Sequence, residues 1–552
     1  MTKINSEAIG GSTSRSPAAS YPIDSEVFTT VERTIVPVPI PSSAPKVPIH
    51  ELAKYSQYGY GVWQYGEGLD YEKRLDLMPA AYDHSAVTES IRLLNFFTMT
   101  DIHLTDKESP AQVPYYGYEW GIISGYSGIM LYTTHVLDAA VQTVNALHRK
   151  KSFDFGISLG DDCNCTQHNE LRWFIDVLDG KLIDPCSGAK DDPIPGPLND
   201  YQDEYQAAGL DKSIPWYQVL GNHDHFWMGM FPPDDYIRET LIGDAIINMD
   251  NIFTSGAGIN GRGYYMGSID GRTQYGDIIG AGPVSDFPDG APKVPADPNR
   301  RSLLRHEWFS EFFDTTTEPK GHGFNESHAA SGFGCYSFEP KSDVPIKVIV
   351  VDDTQRDEDP SGPYGNGKGS LDTKRYEWLI SELDKGQAED KLMVIAMHIP
   401  IGANPESSGL NALMTFSQYA VVTEKELIAK LHTYPNLILI VAGHRHINMV
   451  TALKSPDDSR PELGFWEVET SSLREFPQQF RTIEVVKNTN NTISIFATNV
   501  DPAVKEGSFA DISRTYALAA EQIFKLPTEN RSYNAELVVQ LSPEMQAKLS
   551  AL

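Results

Sequence analysis

Five short apolar runs in this chain each lead into residues that ligate metals, and this pattern constrains the fold more than anything else in the sequence. Leu93-Leu94-Asn95-Phe96-Phe97 leads to Asp101-Ile102-His103, and Phe153 to Leu159 leads to Gly160-Asp161. Trp216 to Leu220 ends in Gly221-Asn222-His223-Asp224. Leu392 to Met397 ends in His398, and Leu437 to Val441 precedes Gly443-His444-Arg445-His446. Short apolar runs of this kind read as buried strands. Layered α/β sheets place their sites at the C-terminal ends of such strands. Five strands that all carry ligands at that end point to one centre.

The residue types fit a pair of divalent cations. Asp101, His103, Asp161, Asn222, His398, His444 and His446 supply seven hard or borderline donors, and His223 is a spare imidazole. Two cations roughly 3.5–4 Å apart need a ligand that bridges them, which a carboxylate with two oxygens does well. Imidazole and carboxylate together suit Zn, Fe, Mn or Ni. Such a pair lowers the pKa of a shared water from about 15.7 toward about 7 and holds a phosphoester for in-line attack. Positioning and electrostatics then do most of the work, with no covalent phospho-enzyme. Singly, the motifs are weak. Asp-x-His is usually a solvated turn, Gly-Asp is a common turn dipeptide, and His398 alone reads equally as a hydrogen-bonded core residue. Their joint order carries the reading.

In that order the chain resembles the calcineurin-like metallophosphoesterases, the superfamily of purple acid phosphatases, cyclic-nucleotide and glycerophospho-diesterases and double-strand-break repair nucleases. The likeness runs from about Leu93 to about Asn499. It includes Leu371-Asp372, Tyr376-Glu377-Trp378-Leu379 and Glu382-Leu383, which resemble the family's helix between the fourth and fifth motif strands. The resemblance implies an α/β fold, a four-layer αββα sandwich of two mixed β-sheets flanked by helices. It implies a metal-dependent phosphoric ester hydrolase with two divalent ions, Mn, Fe or Zn. One ion would take Asp101, His103, Asp161 and His446. The other would share Asp161 as the bridge and add Asn222, His398 and His444. His223 would face the substrate as general acid or phosphate donor, with Asp224 orienting its ring; an imidazole titrates near neutrality and a neighbouring carboxylate holds it protonated. Purple acid phosphatases carry a ligating Tyr three residues after the bridging Asp, where this chain has Asn164, so no ferric-tyrosinate site is expected. Asp162 reads as a carboxylate orienting a ligand His from behind or, better, as a cap on the following helix.

Composition narrows the partners. The 552 residues are 40% hydrophobic with mean hydropathy −0.33, which describes a globular chain with ample core. No apolar stretch approaches the ~20 residues of a membrane span. No signal-peptide core is evident in the first 50 residues, so a cytoplasmic location is expected, or a periplasmic or secreted one if the N-terminus was trimmed. Four cysteines are too few for a disulfide framework, and pairing of Cys163 or Cys165 with Cys186 or Cys335 is open. The net charge of −30, from 45 basic and 75 acidic residues, disfavours duplex nucleic acid. A small-molecule phosphoester is the expected partner, and monoester and diester are not distinguished. Two alternatives stay open: a catalytically idle metal-binding interaction module, and a nuclease on short or single-stranded nucleic acid.

Along the chain, residues 1–50 read as an extended or disordered segment, with a polyproline-type strap from Val36 to Pro48. Residues 51–90 form an aromatic arm (Tyr55, Tyr58, Tyr60, Trp63, Tyr65), and 91–500 the catalytic domain. An aromatic loop with Tyr115, Tyr116, Tyr118 and Trp120 follows His103 and reads either as a pocket wall or as ordinary packing. A helix is expected from about Gly128 to Lys150. The insertion at 225–345 is Gly-, Asp- and Pro-rich with few regular elements, and reads as a lid offering Arg262, Arg272 or His322 to a substrate. Beyond His446, strands at Gly464–Thr470, Phe480–Val486 and Thr492–Thr498 would complete the second sheet, with a turn at Asn488–Asn491. Residues 501–552 form a C-terminal extension with a helix at Ile512–Lys525. Arg474 and Arg481 read as surface salt-bridge residues, with a substrate role as the second choice.

Overall fold

The computed structural model describes residues 27–119, 125–188, 201–250, 261–271, 274–354, 367–402, 415–417, 420–525 and 532–550. The first sheet contains seven strands. In chain order they are β1 (Glu72–Arg74), β2 (Glu89–Met99), β3 (Phe155–Ser158), β4 (Trp216–Gln218), β11 (Phe480–Asn488), β12 (Thr492–Val500) and β13 (Ala535–Gln540). Their spatial order is β1-β13-β12-β11-β2-β3-β4. The second sheet holds β5 (Tyr336–Phe338), β6 (Ile346–Val350), β7 (Leu392–Ala396), β8 (Leu437–Ala442), β9 (Met449–Leu453) and β10 (Phe465–Glu469), ordered β5-β6-β7-β8-β10-β9.

Both sheets are mixed; the parallel motif strands lie at one edge of the first and in the middle of the second. β2, β3 and β4 run parallel, with Met99 opposite Ser158 and Ser158 opposite Gln218. β6, β7, β8 and β10 are likewise parallel, with Ala396 opposite Val441. Every residue of β6, β7 and β8 is buried. Apolar runs without alternation make that possible, because parallel strands are covered on both faces. The registers bring the C-terminal ends of all five motif strands to one end of the molecule.

The sheets pack face to face through one shared core. Phe155 of β3 meets Phe338 of β5 edge-on at 5.3 Å, and the Trp466 indole of β10 donates to the Val538 carbonyl of β13 at 3.2 Å. Helices α1 (Thr133–Lys150) and α2 (His168–Asp179) join the first sheet in that core. Helices α3 (Thr373–Ala388) and α4 (Glu424–Leu431) cover the outer face of the second, where Leu379, Leu383, Leu427 and Leu431 meet Ile349, Met393 and Ile395. The result is the four-layer α/β sandwich expected.

Several placements differ from the sequence reading. The hairpin β11–β12 does not complete the second sheet; β11 pairs antiparallel with β2 and so extends the first. Strand periodicity gives the strands but not their neighbours. Helix α3 precedes β7, the fourth motif strand, rather than following it. The segment after residue 26 is ordered, with Arg33–Pro37 pairing antiparallel with Trp63–Glu67. Ile35, Val47, Ile49, Tyr55 and Tyr60 pack there against Tyr516 to Ala520 of α5 (Phe509–Phe524). The insertion carries regular elements, among them a hairpin of Tyr264–Asp270 with Asp277–Pro283. That hairpin docks on the loop after the first motif, where Ile269 N–H donates to Lys107 O at 3.1 Å and Tyr115 stacks on Tyr264. Trp120, Arg272 and the N-terminal 26 residues lie outside the described residues. All four cysteines are free, and no described helix is long and apolar enough to cross a membrane.

Candidate metal centre

Five of the seven candidate ligands sit in a backbone that few side chains tolerate. Asp101, His103, Asp161, His444 and His446 all have positive φ, between 46° and 69°. Such left-handed conformations cost about 1–3 kcal/mol each and cluster where a site over-determines them. Two glycines allow the turns to touch. A Cβ on Gly221 would lie 2.2 Å from the Asp161 amide nitrogen, and one on Gly443 would lie 1.9 Å from Thr100 Oγ1. The motif glycines therefore let the strand ends close on one another.

Asp101, His103 and His446 form one donor group, and Asp161, His398 and His444 another. In the first, His446 Nε2 is 3.2 Å from Asp101 Oδ1 and 3.2 Å from His103 Nε2. Asp101 Oδ2 accepts from Thr100 Oγ1 and from the His444 N–H, both at 2.7 Å. Its Oδ1 is buried and faces imidazole nitrogens, that of His446 and, at 3.8 Å, that of His103. In the second, His398 Nε2 lies 3.3 Å from Asp161 Oδ2, 3.0 Å from Asn222 Oδ1 and 3.2 Å from His444 Nδ1. Asp161 Oδ1 accepts the His223 N–H at 2.7 Å, which leaves Oδ2 between His398 Nε2 and His103 Nε2, the latter at 3.8 Å. All seven sequence-derived ligands thus converge, with one carboxylate oxygen shared between the groups.

The charges are those of a cation site. Burial disfavours charge on every imidazole here, yet the carboxylates win at one ring in each group. His398 is pushed up to about 10 against its burial by Asp161, Asp101 and Asp353. His446 rises, also against burial, through Glu475 and Asp101. His444 falls to about 3 through burial and the charge on His398, and His103 falls through burial and its imidazole and Arg474 neighbours. The rings held neutral offer lone pairs into a space where carboxylate and imidazole donors crowd together. A hard or borderline divalent ion fits that donor set, with Asp101 Oδ1, buried among imidazole nitrogens, as an available ligand atom.

His223 lies beside the groups, its ring edge-on to His103 at 4.5 Å between centroids. Its Nδ1 donates to the Asn164 carbonyl at 2.8 Å, since a carbonyl only accepts. Burial, opposed by Asp161, lowers its pKa. Asp224 does not orient that ring. Its carboxylate accepts the backbone N–H groups of Asp161, Asp162, Cys163 and Gly221 at 2.8–3.2 Å, so it shapes the turn that carries the shared carboxylate. Asp162 neither orients a His nor caps a helix; it accepts from Ser158 Oγ at 2.6 Å and from the Gln218 amide, tying β3 to β4.

The insertion side chains proposed for a substrate are elsewhere. His322 is buried against Trp216, stacked at 3.4 Å, and Arg262 lies over the Tyr236 ring and bonds Asn248 O. Arg474 and Arg481 are buried rather than on the surface, and Arg481 Nη2 bonds Asn448 Oδ1 at 3.2 Å. Three contributors escaped the sequence reading, and a fourth, Arg474, reads there as a surface residue. Glu475 holds His446 Nδ1 at 3.1 Å, and Asp353 accepts the N–H groups of His398 and Ile399. Glu170 accepts the N–H groups of Asp106, Asn164 and Cys165, and Arg474 bonds the Asn164 amide oxygen. Only Asp353 left a usable signal, since it follows the apolar run of β6 as the motif residues follow theirs.

The sequence matches no family model and none of the curated proteins. Two solved structures align with it over most of its length. A dimetal phosphatase from Danio rerio covers 75% of this chain and 100% of its own, at 10% identity and a TM-score of 0.38. A Thermus thermophilus sulfate thiohydrolase, SoxB, in complex with glycerol, covers 80% of this chain and 62% of its own, at 13% identity and a TM-score of 0.29. At those scores neither alignment bears on function, and the side chains themselves must carry the reading.

Proposed function

We propose that this chain is a binuclear metal-dependent hydrolase of a small-molecule phosphoester, a phosphodiesterase or a phosphomonoesterase. The observation that carries the reading is the shared carboxylate: Asp161 Oδ2 faces both His398 Nε2 at 3.3 Å and His103 Nε2 at 3.8 Å. Asp101, His103, Asp161 and His446 would hold one ion, and Asp161, Asn222, His398 and His444 the other. When bound, two such ions supply Lewis acidity toward the phosphoryl oxygens and a water of lowered pKa.

The chain's own residues do the rest. Asn222 is oriented by its amide, which donates to Gly229 O at 3.0 Å and turns Oδ1 toward His398. His223, anchored through Nδ1, would serve a phosphate oxygen or the leaving oxygen from Nε2 in its protonated form, which burial opposes and Asp161 favours. The Asp224-braced turn fixes the Asp161 backbone relative to both. The acidic surface, with net charge −30, supports a small ester over duplex nucleic acid.

Parallel hydrolysis of bis(p-nitrophenyl) phosphate and p-nitrophenyl phosphate, by protein loaded in turn with Mn, Zn and Fe, tests the proposal. Turnover of the diester supports a phosphodiesterase, and turnover of the monoester a phosphatase. Silence on both with two ions bound would overturn it in favour of an idle metal-binding module.

A further inference from the structure

The loop between β10 and β11 reaches back under the candidate centre. Ser472 Oγ donates to the Asp101 carbonyl at 2.6 Å, and Glu475 holds His446. Between them Arg474 is buried, 2% exposed, and its Nη1 donates to Asn164 Oδ1 and to Thr105 Oγ1 at 3.3 Å. Both acceptors touch the centre through their neighbours. Asn164 O receives the His223 Nδ1–H, and Thr105 Oγ1 donates to the His103 carbonyl at 2.7 Å. Burying a guanidinium is costly, and an apolar side chain of similar volume would fill the same space more cheaply. What a guanidinium adds is a rigid planar fork able to fix more than one acceptor at once.

We propose that Arg474 is a positioning residue for His223: it clamps the Asn164 amide, and the Asn164 carbonyl in turn fixes the imidazole. Asn164 is otherwise held by its N–H, shared between Leu104 O at 3.0 Å and Glu170 Oε2 at 3.1 Å, and by Nδ2 to Gln112 at 2.7 Å. Of these anchors, Arg474 alone comes from the loop between β10 and β11. It links the loop that serves His446 to the segment that serves His223. The position where a related enzyme class carries a ligating Tyr is used here, through Asn164, to steady the ring that faces the substrate. The proposal rests on the phosphoesterase reading for its kinetic consequence, but not for its geometric one.

Arg474→Met, Arg474→Lys, Asn164→Ala, His223→Ala and the Arg474→Met/His223→Ala double variant test it, each zinc-loaded with metal content measured. Arg474→Met is expected to keep two ions per chain and KM within about threefold. Its kcat should fall roughly 10- to 100-fold on phenyl phosphoesters and far less on p-nitrophenyl esters, part of the 10²–10⁴ of a general acid. The double variant should be no slower than His223→Ala, because the two act as one unit. Arg474→Lys should recover part of the loss, and Asn164→Ala, which keeps the carbonyl, should reproduce it if Arg474→Met fails to fold.

A readout independent of turnover separates the two proposals. In protein labelled with ¹⁵N at histidine, the His223 Nδ1–H resonance, assigned by its loss in His223→Ala, should be exchange-protected in the parent and broadened in Arg474→Met. An unchanged resonance, an additive double variant or a loss independent of leaving group would overturn the positioning role. A parent inactive on every ester, with the resonance behaving as expected, would sink the phosphoesterase reading and leave the geometric link standing.

Discussion

The two donor groups use the same residue types but are held in place differently. Around His398 the donor side chains are aimed by backbone atoms, Leu159 O for the His398 ring at 2.8 Å, Gly229 O for Asn222 and the His223 N–H for Asp161, while the Asp353 carboxylate holds the His398 main-chain N–H. Around His446 side chains do more of this, with Glu475 behind the imidazole and Thr100 beside Asp101, which also accepts the His444 backbone N–H. Burial follows the same division. The His398 side chain is 0% exposed, whereas that of His446 is 15% exposed. A backbone partner cannot be removed by substitution and sits wherever the strand ends sit. The His398 group is therefore fixed by the fold itself. The His446 group can be tuned one side chain at a time, and it is the one that solvent reaches.

Asp161 is common to both groups, so Asp161→Ala should erase the comparison. Turnover should vanish and at least one ion should be lost, read by metal analysis; two retained ions would mean that the bridge is misassigned. His398→Ala and His446→Ala should separate the groups, each losing one ion of the pair. The ion kept by His398→Ala should exchange faster with chelator than the one kept by His446→Ala, and the reverse order would break the division drawn above. His223→Ala should leave both ions in place and lower turnover of poor leaving groups by roughly 10²–10⁴. Loss of metal there would make His223 a ligand of the first group. The smallest effect should come from Glu475→Gln. It should weaken one ion by about 10–100-fold and leave the other untouched, since a carboxylate behind a ligating His sets its orientation and basicity. Equal weakening of both ions would mean that Glu475 acts on the whole centre.

The division also explains what could be read from sequence. The seven candidate ligands were legible because they follow five strands within a few residues, and an apolar run that stops at Asp, Asn or His is a local signal. The two-sheet sandwich was implied by the resemblance that those motifs carry, not by the runs themselves. The side-chain partners were not legible. Glu475 meets His446, and Arg474 meets Asn164, only after β10, the loop beyond it and the first sheet have assembled. The resemblance implied that Asp224 orients the His223 ring, whereas the carboxylate turns back to four backbone N–H groups. His322 and Arg262 were singled out by chemical type alone, and their surroundings, Trp216 and Tyr236, gave no warning in sequence. The hairpin β11–β12 was recognised as strands but assigned to the wrong sheet, since its alternation fits either one equally.

Anomalous diffraction from crystals of the manganese-loaded protein tests the central claim most directly. The account predicts two peaks roughly 3.5–4 Å apart, the spacing of two-metal sites, one on each side of Asp161 Oδ2. A single peak, or two that do not share Asp161, would contradict it.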